Sequence, residues 1–316
     1  MRQRDPDELV GAMARGDRAA IARLISLVER GGPPARQVGR LTFGRGDAYT
    51  LGLTGAPGAG KSTLTDRLIT KAREGGQPVG VLAIDPSSPF TGGAILGDRV
   101  RMQGHALDEG VFIRSMATRG HLGGLALATP EAVRVLAAAG MPLVVIETVG
   151  VGQVEVDVAG AADTTVVVVN PGWGDSIQAS KAGLLEIADI FVINKADRAG
   201  AAETRRDLEN MLDMSSSMGE WRPPIVDTVA STGDGTVQLW GVIGDHRAYM
   251  ERSGQLAERR RHRLLDELSE ILLRRVELEV RQLEGGEAYQ RARQAVLSGD
   301  VDPYTAADEL LAKLSL

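Results

Sequence analysis

The chain has 316 residues, with 36 Lys and Arg against 42 Asp and Glu (net charge −6), 39 Gly and no Cys. The missing cysteine excludes a disulfide scaffold, a thiolate metal site and a Cys nucleophile; the four dispersed histidines (His105, His121, His246, His262) offer no HxxxH or HxH metal spacing, and the acidic balance argues against bulk nucleic-acid binding. No apolar run reaches the ~18 residues of a membrane span and the N-terminus lacks a signal-peptide core, so a cytoplasmic protein without membrane association is expected.

In chain order, residues 5–30 read as two short helices. Asp17 caps the second, which carries Ile21, Leu24, Ile25 and Val28 at helical spacing, and Gly31-Gly32-Pro33-Pro34 stops it. Residues 49–54 are a short apolar strand, followed by a helix over about 61–73. Further strands are expected at 79–84, ending at Asp85, and at 111–115, 143–146, 164–169, 190–193 and 224–229, with a helix over 130–139. Continuous apolar runs mark strands covered on both faces, and their alternation with helices indicates an α/β fold with a doubly wound, mostly parallel sheet. From about Thr236 the pattern is helical. Over 251–284, Leu264, Leu265, Leu268, Ile271, Leu272, Val276, Val280 and Leu283 step by three and four, which reads as one long amphipathic helix. Gly285-Gly286 breaks it before a short helical tail. The expected organisation is an N-terminal helical extension (1–46), a nucleotide-binding domain (47–248) and a C-terminal helical arm (249–316).

Gly55-Ala56-Pro57-Gly58-Ala59-Gly60-Lys61-Ser62, followed by Thr63, fits GxxxxGK[ST] between a strand and a helix. Such a loop cradles phosphate with backbone N–H groups; Lys61 reaches the β/γ-phosphates and Ser62 ligates Mg²⁺. This defines a P-loop NTPase. The strand at 190–193 ends in Asn194-Lys195-Ala196-Asp197, an NKxD pattern. The Asp197 carboxylate accepts from guanine N1–H and N2–H₂, whereas adenine presents an unprotonated N1, so GTP/GDP is favoured over ATP. Asn194 is expected to fix the base edge and the Lys195 stem to pack along the ring. Ala230-Ser231-Thr232, after the last strand, is the expected backbone contact to the guanine C6 oxygen.

Glu147 ends a strand and opens Glu-Thr-Val-Gly150, the position from which an acid holds Mg²⁺ through water and a glycine N–H senses the γ-phosphate. Asp85 projects from the same carboxyl edge of the sheet. Asp98 lies in a glycine-rich loop, where a metal-site role stands beside that of a cap or surface charge. Gln153 follows the ExxG turn and has two readings: it orients the attacking water, or it hydrogen-bonds the loop backbone. The run Arg259-Arg-Arg-His-Arg263 lies amid acids on the long helix and reads as a solvated face rather than a nucleic-acid patch. Only five of the 36 basic residues are lysine (Lys61, Lys71, Lys181, Lys195, Lys313), and three of them fall in these motifs or in the 170–181 segment considered next.

Taken in order, Gly-Ala-Pro-Gly-Ala-Gly-Lys-Ser-Thr, Asp85-Pro-Ser-Ser-Pro, Thr91-Gly-Gly-Ala-Ile-Leu-Gly-Asp-Arg-Val-Arg-Met102, Glu147-Thr-Val-Gly-Val-Gly-Gln153, Pro171-Gly-Trp-Gly-Asp175 and Asn194-Lys-Ala-Asp197 resemble the MeaB/ArgK family of metallochaperone-type G proteins. The resemblance spans nearly the whole chain. It implies a GTPase, slow alone and stimulated by a partner, that serves an adenosylcobalamin-dependent acyl-CoA mutase, most often methylmalonyl-CoA mutase, by gating cofactor loading and protecting or reactivating the enzyme. It further implies a homodimer built partly by the C-terminal arm, and a cobalamin adenosyltransferase as a further partner. Carried over, Lys61, Glu147 and Gln153 are catalytic, Ser62, Asp85, Asp98 and Glu147 surround Mg²⁺, Asn194 and Asp197 read guanine, and 170–181 resembles a switch loop facing the mutase. Val154 and Trp173 depart from the family pattern. The competing readings are an ATP-dependent kinase of an amino-acid transport system, against which NKxD argues, and a metal-insertion GTPase, which lacks Cys or clustered His to carry its metal.

Overall fold

A computed structural model of the chain describes residues 5–86, 103–105, 107–118, 124–148, 160–172, 186–214, 220–284 and 286–312. Seven strands, β1 (Tyr49–Gly55), β2 (Val79–Pro86), β3 (Val111–Thr118), β4 (Leu143–Thr148), β5 (Thr164–Val169), β6 (Ile190–Asn194) and β7 (Ile225–Thr228), form one sheet in the order β3-β2-β4-β1-β5-β6-β7. Every pairing is parallel. The order reverses on either side of β1, which therefore opens a crevice at its carboxyl end, where ligands of doubly wound sheets bind.

The apolar runs are explained by burial on both faces. Val144 and Ile146 of β4, with Leu82 and Ile84 of β2, face a core built with Leu24, Ile25 and Val28. Their neighbours Leu143 and Val145 face the opposite core with Leu64, Leu68, Leu239 and Ile243. The first core is supplied by α1 (Pro6–Ala14), α2 (Arg18–Arg30), α3 (Gly32–Thr42) and α5 (Gly124–Ala138), the second by α4 (Lys61–Glu74) and α7 (Thr236–Arg252). Phe191, Ile193, Leu208 and Leu212 place α6 (Ala201–Met214) over β6.

Four local expectations change. Gly31-Gly32-Pro33-Pro34 does end α2, but the prolines occupy the first turn of a third helix, α3, where a missing N–H costs nothing. Helix α5 begins six residues before Pro130 and carries that proline inside it. Helix α6 lies between β6 and β7, a stretch for which no helix was expected. The span 251–284 is not one helix: Gly254, with φ +75°, separates α7 from α8 (Gln255–Glu284).

The described chain falls into two compact units, Met1–Arg263 and Leu264–Leu316. The first holds the sheet together with α1 to α7 and the first two turns of α8. The second holds the rest of α8 with α9 (Glu287–Ser298) and α10 (Pro303–Leu311). Within it Leu264, Leu265, Leu268, Leu272 and Val276 of the aliphatic stripe are exposed in the single chain.

The arginine run at 259–263 is only partly the solvated face that was expected. Arg261 and His262 are exposed, but the other three arginines pair with two buried aspartates at the amino-terminal edge of the sheet. Arg259 donates to both oxygens of Asp189, at 2.9 and 3.0 Å. Arg260 Nη2 lies 2.6 Å from Asp163 Oδ2, and Arg263 also bonds Asp163. Burial works against the Asp163 charge, yet the hydrogen bond from Arg260 and the charges of Arg263 and Arg260 outweigh it and hold the carboxyl below its ordinary range. Asp189 is likewise opposed by burial and held down by hydrogen bonds from His246 and Arg259. His246 Nδ1 and Tyr49 Oη both bond Thr164 Oγ1, and burial pushes the Tyr49 phenol up to about 12.

Candidate functional site

The glycine loop leaves β1 and enters α4. Gly55 takes φ +128°, and a Cβ there would stand 2.0 Å from the Val168 carbonyl oxygen, so the loop turns across β5 only without a side chain. Lys61 and Ser62 begin α4, each 6% exposed. The Lys61 ammonium lies back along the loop, donating to the carbonyls of Gly55 at 2.6 Å and Ala56 at 3.1 Å. Ser62 Oγ donates to Glu147 Oε1 at 2.5 Å.

That contact follows from sheet register. Leu53 of β1 and Ala83 of β2 both pair with Glu147 of β4, which lies between them. Glu147 thus reaches the carboxyl edge beside the start of α4 and is fully buried there. Asp85 stands two residues beyond Ala83 on β2, at the same edge; its side chain lies outside the described residues, as do Asp98, Gly150, Gln153, Val154, Trp173 and Lys181. Among the described residues there is no cluster of three or more His, Cys, Asp or Glu that could hold a metal ion. The oxygen donors described are Ser62 and Glu147, hard ligands of the kind Mg²⁺ takes when water and phosphate complete its shell.

The Asn194-Lys195-Ala196-Asp197 segment lies against the same loop. The Asn194 amide, expected to fix the base edge, joins three elements. Nδ2 donates to the Ala59 carbonyl at 2.7 Å, and Oδ1 accepts from the Ala230 N–H at 3.0 Å and from Thr228 Oγ1 at 3.1 Å. Gly60 makes this approach possible: its φ is +93°, and a Cβ would fall 2.3 Å from Asn194 Nδ2. Lys195 takes φ +60°, where residues with a side chain are uncommon. Its Nζ donates to the Gly58 carbonyl at 2.6 Å, which draws the stem over the loop. A recess is lined by Gly60, Thr63, Asn194, Lys195, Asp197 and the turn Val229–Ser231. Of the expected base contacts, Asn194, Lys195, Asp197, Ala230 and Ser231 therefore meet in one recess. The Thr232 N–H donates to the Val229 carbonyl at 3.1 Å, and its hydroxyl lies 2.8 Å from Asp234 Oδ2 and 3.1 Å from the same carbonyl.

Sequence reasoning missed Arg67. This α4 side chain bonds the carbonyls of Ala230 and Ser231 across 163 and 164 residues, and no local pattern signals it.

The parallel sheet, the loop after β1 and the acid on β4 define a P-loop nucleotide hydrolase. A family model described as methylmalonyl-CoA mutase-associated GTPase MeaB matches residues 21–284. The chain belongs to this MeaB family and is a GTP hydrolase, with guanine nucleotide as its ligand. A protein of Pyrococcus abyssi is 53% identical over 316 residues, covering 98% of this chain and 96% of its own. The Escherichia coli GTPase ArgK is 36% identical, covering 82% and 81%. The mouse mitochondrial methylmalonic aciduria type A homolog is 33% identical, covering 98% and 79%. A crystal structure of an LAO/AO transport system kinase superposes with a TM-score of 0.71 at 28% identity, covering 97% of this chain and 96% of that one. No helix among the described residues is long and apolar enough to cross a membrane.

Proposed function

We propose that this GTPase serves an adenosylcobalamin-dependent acyl-CoA mutase, methylmalonyl-CoA mutase first among them, gating cofactor loading and protecting or reactivating the enzyme. The observation that carries the proposal is membership of a family named for association with that mutase; the mouse relative named for methylmalonic aciduria supports it. A homodimer formed through the arm at 249–316, and a cobalamin adenosyltransferase as a second partner, belong to the same proposal, as does the division at 1–46 and 47–248.

At the nucleotide, Lys61 and the loop amides bind the β/γ-phosphates. Ser62 and Glu147, with Asp85 and Asp98, hold Mg²⁺, which neutralises phosphate charge when bound. The 2.5 Å contact between the buried Ser62 and Glu147 supports this assignment. Asp197 accepts from guanine N1–H and N2–H₂, the Gly150 N–H senses the γ-phosphate, and Gln153 orients the attacking water. Hydrolysis rests on positioning and on charge neutralisation, so turnover alone is slow and the partner completes the site.

A pull-down tests the partnership. Apo-mutase is expected to be retained on the immobilised chain with a non-hydrolysable GTP analogue and released with GDP. Equal retention with both nucleotides, or none, overturns the proposal. The kinase reading takes its support from the name of the solved relative; a preference for ADP over GDP in titration would favour it.

A further inference from the structure

Arg67 ties the phosphate-loop helix to the turn after β7. It lies on α4 one helical turn past Thr63, which lines the recess. Its Nε donates to the Ala230 carbonyl at 2.9 Å and Nη2 to the Ser231 carbonyl at 2.8 Å, so one planar group holds two successive peptides.

A trans peptide carries its C=O and the following N–H on opposite edges of one plane. Holding the Ala230 oxygen toward α4 therefore turns the Ser231 N–H the other way. The neighbouring amides are engaged elsewhere: the Ala230 N–H on Asn194 Oδ1 at 3.0 Å and the Thr232 N–H on the Val229 carbonyl at 3.1 Å. Among the described residues, the Ser231 N–H is the amide of this turn left to a ligand in the recess that Ser231 and Asp197 both line.

We propose that Arg67 is a positioning residue for base selectivity, fixing the turn so that the Ser231 N–H meets the C6 oxygen of a purine. This rests on the reading of Asp197 as the guanine contact. An adenine amino group at C6 would set a donor against that donor, a mismatch that a fixed turn penalises and a loose one tolerates. Arg67 thus links the helix that carries Lys61 and Ser62 to the part of the site that discriminates bases.

The test uses the full chain, titrated with fluorescently labelled GDP, IDP and ADP. IDP keeps the C6 oxygen and lacks the 2-amino group. Arg67→Met, which keeps the aliphatic stem, is expected to weaken GDP and IDP by the same factor, about tenfold, and ADP by less than about twofold. Arg67→Lys, a single ammonium in place of the fork, is expected to fall between wild type and Arg67→Met and serves if the latter does not fold. Asp197→Ala is expected to remove the advantage of GDP over IDP. Equal weakening of all three ligands by Arg67→Met, or unchanged GDP binding, overturns the proposal while leaving the guanine reading intact. A wild-type chain that does not prefer GDP to ADP overturns both.

Discussion

Lys61, Gly60 and Asn194 hold the loop after β1 through close contacts that a single added or altered group would disturb. The Lys61 ammonium fits between the Gly55 and Ala56 carbonyls because it is compact; a forked guanidinium is larger and planar. Lys61→Arg is expected to abolish tight GTP binding, whereas Lys71→Arg, on a surface side chain paired with Glu74, leaves it unchanged; titration with labelled GTP checks both. Gly60→Ala would place a methyl group 2.3 Å from Asn194 Nδ2 on a backbone at φ +93°. It is expected to lower the melting temperature and weaken GDP at least about tenfold, since strain of this kind costs roughly 1–3 kcal/mol. Asn194→Ala removes three hydrogen bonds at a side chain only 2% exposed, and unfolding in urea should show a loss of about 2–4 kcal/mol. The residues of the recess were legible because the GxxxxGK[ST] and NKxD patterns need fixed types at fixed spacing. The clasp made by Asn194 was not, because its partners stand 34 to 135 residues away.

At the scale of elements, the first turns of α8, over 255–263, are tied by Arg259, Arg260 and Arg263 to Asp163 and Asp189. Both carboxyls have folded-state pKa values below their ordinary range. A depressed pKa stabilises the fold above the unfolded value of about 3.9, and that contribution is lost as the pH falls through the folded value. Thermal melts are therefore expected to be flat from pH 7 to about 5 and to drop steeply below about pH 4. Asp163→Asn should lower the melting temperature at pH 7, because Arg260 and Arg263 lose their buried counter-charge, and should make the acid drop shallower. An unaltered acid limb in Asp163→Asn would remove this carboxyl from the explanation. The sequence pattern showed charge on that helix but not its direction, since the pairs join residues 70 to 100 apart. The strands, by contrast, were legible nearly to their ends, because a strand buried on both faces is an unbroken apolar run. Helix α3 was hidden by Gly-Gly-Pro-Pro, which stops one helix and starts the next with the same residues. The polar face of α6, with only Thr204, Leu208 and Leu212 buried, gave a weak periodic signal.

At the scale of the molecule, the sheet separates two kinds of site. Lys61, Ser62, Glu147 and Asn194 gather at the carboxyl edge around β1, while Tyr49, Asp163 and Asp189 gather at the amino edge beneath the same strands. The first arrangement is that of a nucleotide hydrolase, and membership of the MeaB family assigns the nucleotide as GTP. In the proposed partnership the mutase would supply the group that completes hydrolysis. Single-turnover GTP hydrolysis with and without an adenosylcobalamin-dependent acyl-CoA mutase tests this most directly. A slow rate is expected for the chain alone and a clear acceleration with the cognate mutase; a rate left unchanged by every such mutase would sink the proposed partnership.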